Sequence, residues 1–503
     1  MKPSIKQLLL ILLLLVAALP LSAGNTGPSG IDLSGRLTYD NGKPIRGAAV
    51  SDGYCVVATD EQGFYRIEST PEARFVYVSL PADCRVPIGK NGMPLFWQSI
   101  DPSQPDARYD FRFEKIPVER SFTLYCLADP QVKSAAHLER LCQETVPDLI
   151  ESIKNSKANY AVTLGDNIYD RPQLIPDLQK ALGELAMPVF MTMGNHDHLE
   201  TEIGDRAARA NFENHFGPVD YSFNRGNAHI VVMDNVQYLK KQKYRSELTS
   251  AQLEWLKQDL ARVPSDKTVL LCVHIPLRTT AHKAGADNRY DELLELLSRF
   301  DEAHIMSGHT HYNQNFLHET ASGKTIYEHI HGAVCGAWWS STICTDGTPN
   351  GYGVYRFNAK GIRDWHYKGT LLPAEVQARF YPVGSFPGSL AEERPGEIVV
   401  NVWNADDTWK VELLEDGKKS CDMERFTDYD KAVWQHAKEL GKPVPKDADH
   451  PTHWFRKNDH LYRGVPRSAD SQITIRITDR FGKVYLQEVP TTDTRSMKSY
   501  PEK

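Results

Sequence analysis

Apolar and polar positions along the chain fall into three regimes. From 31 to 115, short alternating runs are cut by turn signals at Asp40-Asn41-Gly42, Asp52-Gly53 and Asp60 through Gly63. Alternation with a period of two predicts half-buried strands, and closely spaced turns predict a β-sandwich. From 120 to 370 the apolar runs become nearly continuous, over 123–128, 160–164, 189–193, 229–233, 268–273 and 304–306. Helical periodicity lies between them. In "LTSAQLEWLKQDL", Thr249 and Gln252 form a capping box, and Leu253, Leu256 and Leu260 share one face. Strands buried on both faces and alternating with amphipathic helices predict a layered α/β core. A Pro/Gly-rich link, "YPVGSFPGSLAEERPGE", leads into a third region over 385–503. It is strand-like again ("IVVNVWN", "WKVELLEDG", "ITIRITDRFGKVYLQEV"), with a helical stretch at 428–440, and predicts a second small β-sandwich.

The first residues follow a different pattern. "MKPSIKQLLLILLLLVAALPLSAGN" has two lysines, an apolar run over 8–19 and then small residues. This predicts a secretory signal peptide over 1–23, cleaved near Ala23, and an exported protein, periplasmic or extracellular. A membrane anchor is the other reading, but the run is shorter than a span requires. No cysteine follows to accept a lipid, and no later segment is apolar enough to cross a membrane. At 503 residues the chain is too long for a single core. A net charge of -7 and the lack of a basic stretch argue against long nucleic acids as partners. Among eight cysteines, Cys126 and Cys272 lie in apolar runs and read as core. Cys55 with Cys84, and Cys335 with Cys344, are candidate disulfides in an exported protein, with the pairing left open.

Five predicted strands of the middle region end in polar residues: "LADPQ", "LGDNIYD", "MGNHDH", "VHIP" and "GHTH". In open α/β sheets, ligand sites lie at the carboxyl ends of strands. Asp129, Asp166, Asn195, His274, His309 and His311 are therefore expected along one edge. Singly each fragment is weak, since a Gly-Asp is usually a turn and a "VHIP" histidine usually structural. Five in this order, each closing a strand, point to one site. Carboxylate, amide oxygen and imidazole together suit Mn, Fe or Zn, whereas calcium would not choose several imidazoles.

The order Asp-x-Gln, Gly-Asp-x-x-x-Asp, Gly-Asn-His-Asp, Val-His and Gly-His-x-His resembles the calcineurin-like metallophosphoesterase superfamily. The resemblance implies a four-layer α/β fold with two inner sheets and a two-metal site. The first metal would take Asp129, Asp166 and His311, and the second Asp166, Asn195, His274 and His309, with Asp166 shared. A hydroxide between the metals would attack the phosphorus of a phosphomonoester or phosphodiester. His196 would contact the phosphate and protonate the leaving oxygen, oriented by Asp170 or Asp197. Most relatives carry a metal-binding histidine where this chain has Gln131. Its side-chain oxygen is expected to reach the same ion. The other reading leaves Gln131 structural, with water or Tyr169 completing the site.

Two further resemblances concern the flanks. Gly-Lys-Pro-Ile-x-Gly-Ala followed by Thr-Asp-x-x-Gly-x-Tyr is similar to carboxypeptidase-regulatory or transthyretin-like domains. "CGAWWSSTICTDGTPNGYG" resembles a subgroup of exported bacterial metallophosphoesterases with β domains on both sides. The expected architecture is thus multidomain, a central four-layer α/β metallophosphoesterase fold flanked by two β-sandwich domains. Tyr169, His198, Trp338 and Trp339 are candidate substrate-lining residues. Against this, Tyr169 reads equally as packing, His198 as a solvated loop residue, and the tryptophans as burial against the C-terminal domain. The leading expectation is an exported phosphoesterase with two metal ions and a small phosphorylated substrate. The alternative is a weak or inactive protein whose β domains bind envelope partners or glycans, for which the departure at Gln131 is the only sequence support. Substrate identity and oligomeric state are not legible.

Overall fold

The computed structural model describes residues 31–488 apart from 105, 279–288, 384–395, 444–451, 453 and 469. The expected signal peptide and most of the Pro/Gly-rich link lie outside the described residues. No helix among the described residues is long and apolar enough to cross a membrane.

Two facing sheets form the centre. One has five strands in the order Val189–Phe190, Asn159–Thr163, Phe122–Leu127, Gly351–Asn358 and Gly361–Gly369, the first three parallel. The other has six, in the order Tyr221–Arg225, Ala228–Val232, Thr268–Cys272, Glu302–Ser307, Thr325–Ile330 and Gln314–Glu319. Its middle four are parallel and its edge strands antiparallel. The continuous apolar runs follow from burial on both faces. Leu124, Cys126, Val162 and Leu164 pack inward with Ile230, Leu270 and Ile305 of the opposite sheet. The alternate residues Tyr125, Leu127 and Ala161 pack outward against Leu138, Leu149, Leu178 and Leu182 of the covering helices. On the far side lie the helices Ser250–Leu260 and Tyr290–Ser298. The first starts with the expected capping box, Gln252 N donating to Thr249 Oγ1 and Thr249 N to Gln252 Oε1.

The N-terminal region forms two small sheets. One pairs Ile31–Tyr39 with Phe64–Ser69 and Phe111–Phe113, and the other joins Val56–Ala58, Ala49–Ser51, Phe75–Val78 and Trp97–Ser99. It rests on the helix Ser250–Leu260, where Trp255 Nε1 donates to Ser51 Oγ at 3.0 Å. The C-terminal region is two four-stranded sheets, one of which takes in Ala378–Tyr381 ahead of the link. Its helix Lys431–Glu439 is capped by Asp430, which accepts from the amides of Ala432 and Val433.

The expected disulfides are not formed, and all eight cysteines are free thiols. Cys335 Sγ lies 3.7 Å from His311 Nδ1, whereas Cys344 Sγ turns to the carbonyls of Ala333 and Pro349. Cys84 is buried and Cys55 half-buried.

Candidate metal centre

The carboxyl ends of both central sheets converge. Asp129 follows Phe122–Leu127, Asp166 follows Asn159–Thr163 and Asn195 follows Val189–Phe190 on one sheet. His274 follows Thr268–Cys272, and His309 and His311 follow Glu302–Ser307 on the other. Glycines before the polar residues permit the approach. A Cβ on Gly165, whose φ is +83°, would sit 2.5 Å from His274 Nδ1, and one on Gly194 would sit 2.1 Å from Asp166 N. Of the thirteen non-glycine residues with positive φ among the described residues, eight cluster here: Asp129, Gln131, Asp166, Asp170, His309, His311, Trp338 and Trp339. Backbone of this kind costs energy and persists where its surroundings over-determine it, commonly at functional sites.

Asp166 stands between two halves of the site. Its Oδ1 is 3.3 Å from His274 Nε2, which in turn lies 3.1 Å from both Asn195 Oδ1 and His309 Nδ1. Its Oδ2 accepts from Gln131 Nε2 at 2.8 Å. On that second side Asp129 Oδ1 is 3.5 Å from His311 Nε2. Donor atoms of Asp166, His274 and His309 all lie within 4.8 Å of one another. His274 Nδ1 donates to Leu164 O at 2.8 Å and His311 Nδ1 to Gly336 O at 3.0 Å. Each carbonyl holds the ring proton on Nδ1 and leaves the Nε2 lone pair for a ligand. Asp129 Oδ1 and Gln131 Oε1 are buried without hydrogen-bond partners. Buried oxygens are normally satisfied, so an orphaned pair beside imidazoles and a carboxylate fits a cation. All seven expected ligands are therefore together, and their donor set fits two metal ions.

Charge in the cluster is polarised. Burial pushes Asp129 up to about 8, with His274 opposing and Asp166 reinforcing the rise. Burial also opposes charge on Asp166, but His274 and His196 outweigh it and hold the carboxyl well below its usual range. Burial disfavours the His274 imidazolium too, yet Asp166 holds it up to about 9. His309 and His311 are depressed by burial to about 3 and about 4, so both are neutral donors.

At the rim, His196 Nδ1 meets Asp170 Oδ1 at 2.9 Å, and the His196 ring stacks on Tyr169 with centroids 4.0 Å apart. Burial opposes charge on His196, but Asp166 and Asp170 together hold it up to about 9. Asp197 does not orient His196. Its carboxylate accepts from the backbone amides of Asn167, Ile168 and Gly194, joining two ligand loops. Tyr169 is half-buried under His196. Trp338 stacks on His311 at 4.7 Å and also meets Trp454 of the C-terminal domain at 5.7 Å. Two expected lining residues are instead buried. Trp339 donates its Nε1 to Pro130 O at 2.8 Å and so braces the loop carrying Asp129 and Gln131, while Arg140 donates to the Trp339 carbonyl. His198, 2% exposed, stacks on Tyr238.

Sequence reasoning missed three features. Lys133 is exposed, with Nζ 4.9 Å above the Tyr169 ring, and its place two residues after Gln131 was the available signal. Tyr244, on the hairpin strand Lys243–Ser246, sets its ring against His309 with centroids 6.2 Å apart. The C-terminal domain grips the loop behind His311. His460 Nε2 lies 3.1 Å from Asp346 Oδ2, and Asn401 and Asn458 donate to Asp346 O. Thr345 N then donates to His311 O at 3.0 Å. No local pattern announces those contacts.

Three family models match consecutive parts of the chain. They are the N terminal of calcineurin-like phosphoesterase over 31–116, calcineurin-like phosphoesterase over 122–313, and the C terminal of calcineurin-like phosphoesterase over 328–485. No curated protein matches. Among solved structures, a dimetal phosphatase from Danio rerio is similar at 15% identity over 50% of this chain and 96% of that one, with a TM-score of 0.34. A purple acid phosphatase from yellow lupin seeds is similar at 11% identity over 67% of this chain and 68% of that one, with a TM-score of 0.35. An NAD nucleotidase from Haemophilus influenzae is similar at 11% identity over 50% of this chain and 49% of that one, with a TM-score of 0.29.

Proposed function

Because the chain belongs to the calcineurin-like phosphoesterase family of hydrolases acting on phosphate esters, we propose that it is an exported two-metal phosphoesterase for a small phosphorylated substrate, using the seven converging residues as ligands and His196 as general acid. The observation that carries this reading is the orphaned pair, Asp129 Oδ1 and Gln131 Oε1, buried beside the histidine and aspartate donors. Asp166 would be the shared ligand, since its two oxygens face different halves of the site. Gln131 replaces an imidazole with an amide oxygen, which leans the first site toward Mn or Fe over Zn.

The metal pair, when bound, supplies positive charge to the phosphoryl oxygens and acidifies water. The protein's own part is orientation and proton supply. The carbonyls of Leu164 and Gly336 fix His274 and His311 with Nε2 toward the centre. Asp170 fixes the His196 ring through Nδ1 and favours its protonated form, so Nε2 presents a proton at the rim of the site. The Tyr169 ring supports that imidazole from one face. Lys133 supplies an exposed cation above the same tyrosine, placed to attract an anionic substrate.

The test is hydrolysis by the purified chain, reconstituted with Mn, Fe or Zn, of a panel of phosphomonoesters and phosphodiesters, with metal content measured in parallel. Two metals per chain and turnover of one ester class are expected. Two metals with no turnover across the panel would favour the binding-protein reading, and no bound metal would overturn the site.

A further inference from the structure

Among the described residues a second group of metal-ligand types lies outside the centre described above. Donor atoms of His198, Asp205 and Asp234 all fall within 4.8 Å of one another. They come from three places: the turn after Asn195, the first residue of the helix Asp205–Ala208, and the loop after the strand Ala228–Val232. We propose that these three side chains form a separate mononuclear site for a divalent transition-metal ion such as Zn or Mn, one that fastens the loop carrying Asn195 and His196.

Three observations support it. The first is orphaned atoms. His198 is 2% exposed and Asp234 fully buried; Asp234 Oδ2 has no hydrogen-bond partner, and His198 Nε2 faces only Asp205 Oδ1, beyond a good hydrogen bond. The second is ligand preparation. His198 Nδ1 donates to Gly194 O at 3.0 Å, which fixes the ring and turns the Nε2 lone pair toward the carboxylates. Asp205 is held by Tyr238 N on Oδ1 and by Arg209 on Oδ2, and Asp234 by Val236 N on Oδ1. His198 Nε2 lies 3.4 Å from Asp205 Oδ1. A tetrahedral ion with bonds of about 2.0–2.2 Å sets its ligands about 3.3–3.6 Å apart.

The third is charge. Asp205, Asp220, Asp234 and Glu213 lie together, and Asp220 accepts from Asp234 N and from Gln252. Arg209 pairs with Asp205 and Glu213, and Arg74 pairs with Glu213. Four carboxylates face two guanidiniums in this acid-rich pocket, and a divalent ion would balance them in their ionised form. Uncompensated charge at this depth is costly.

The proposal does not depend on the catalytic reading, because its test reads position. Crystals of the full chain grown with Zn or Mn should show an anomalous peak within bonding distance of His198 Nε2, Asp205 and Asp234, apart from any peaks at Asp166. In solution, Asp234→Asn should lose one metal per chain by elemental analysis while retaining those bound around Asp166. His198→Gln should do the same. An anomalous map with no peak among these three residues overturns the proposal, whatever the centre at Asp166 holds, and so does an Asp234→Asn protein with undiminished metal content. Where a variant fails to fold, the wild-type map alone decides.

Discussion

Replacing Gln131 with leucine separates a metal ligand from a structural amide. In the metal-free protein this side chain makes two opposing contributions. Its Nε2 donates to the Asp166 carboxylate at 2.8 Å, and a hydrogen bond to a charged group contributes about 1.5–3 kcal/mol. Its Oε1 is buried without a partner, which costs about 1–3 kcal/mol. Leucine has similar volume, removes both and leaves Asp166 Oδ2 without that donor, so metal-free stability should fall by no more than about 2 kcal/mol. The metal-loaded protein should respond differently. Loss of a ligand is expected to weaken one site by at least the roughly 10–100-fold typical of losing an outer-shell partner. Because bound metal stabilises by RT ln(1 + [L]/Kd), the gain on loading should shrink by about 1.4–2.8 kcal/mol. The assay is denaturant unfolding of chelator-treated and Mn-reconstituted wild-type and Gln131→Leu proteins, with Mn titrations beside it. A metal-free loss above about 3 kcal/mol, with the loading gain intact, would show that the amide only tethers Asp166. Gln131→His supplies the converse, with tighter binding and a shift toward Zn.

His196→Ala should keep its metals and lose about 10²–10⁴ in kcat, the size of a general acid term. The loss should shrink for nitrophenyl esters, whose leaving group needs no proton, and an equal loss for good and poor leaving groups would remove His196 from that role. Asp170→Asn should lower the pKa of His196, since Asp170 stabilises its charged form at 2.9 Å. The alkaline limb of the kcat profile, where the acid loses its proton, should then move down by about one pH unit, and an unmoved limb would free His196 from Asp170. Metal uptake by the metal-free protein should release protons near pH 7, because burial raises Asp129 and Asp166 raises His274, so both hold protons there that they must lose to become ligands. Affinity should rise with pH. Calorimetric titrations in buffers of different ionisation enthalpy measure the release, and binding unchanged from about pH 6 to 8 would contradict it.

The sequence by itself determined the layered core, the two flanking β regions and which candidate ligand residues converge. Those signals are one-dimensional. A strand buried on both faces is mostly apolar, so a cluster of ligand-type residues stands out where it ends, and five strands end in such residues. The capping box at Thr249 and Gln252 was legible because it closes within one helical turn. Side-chain direction in the loops was not legible, because those loops follow no period and much of their backbone is left-handed. Asp170 and Asp197 are both candidates to orient His196, with Asp170 the favoured one. Folding sends one to the imidazole and the other to three backbone amides. Trp338 and Trp339 are neighbours in sequence, yet one stacks on a ligand histidine and the other bonds a carbonyl 209 residues away. His198 looked like a sixth letter of the ligand motif, and only the folded chain brings it to Asp205 and Asp234. Such choices are made by contacts between segments far apart in the chain, whose partners exist only once the sheets have packed and brought their strand ends to one place.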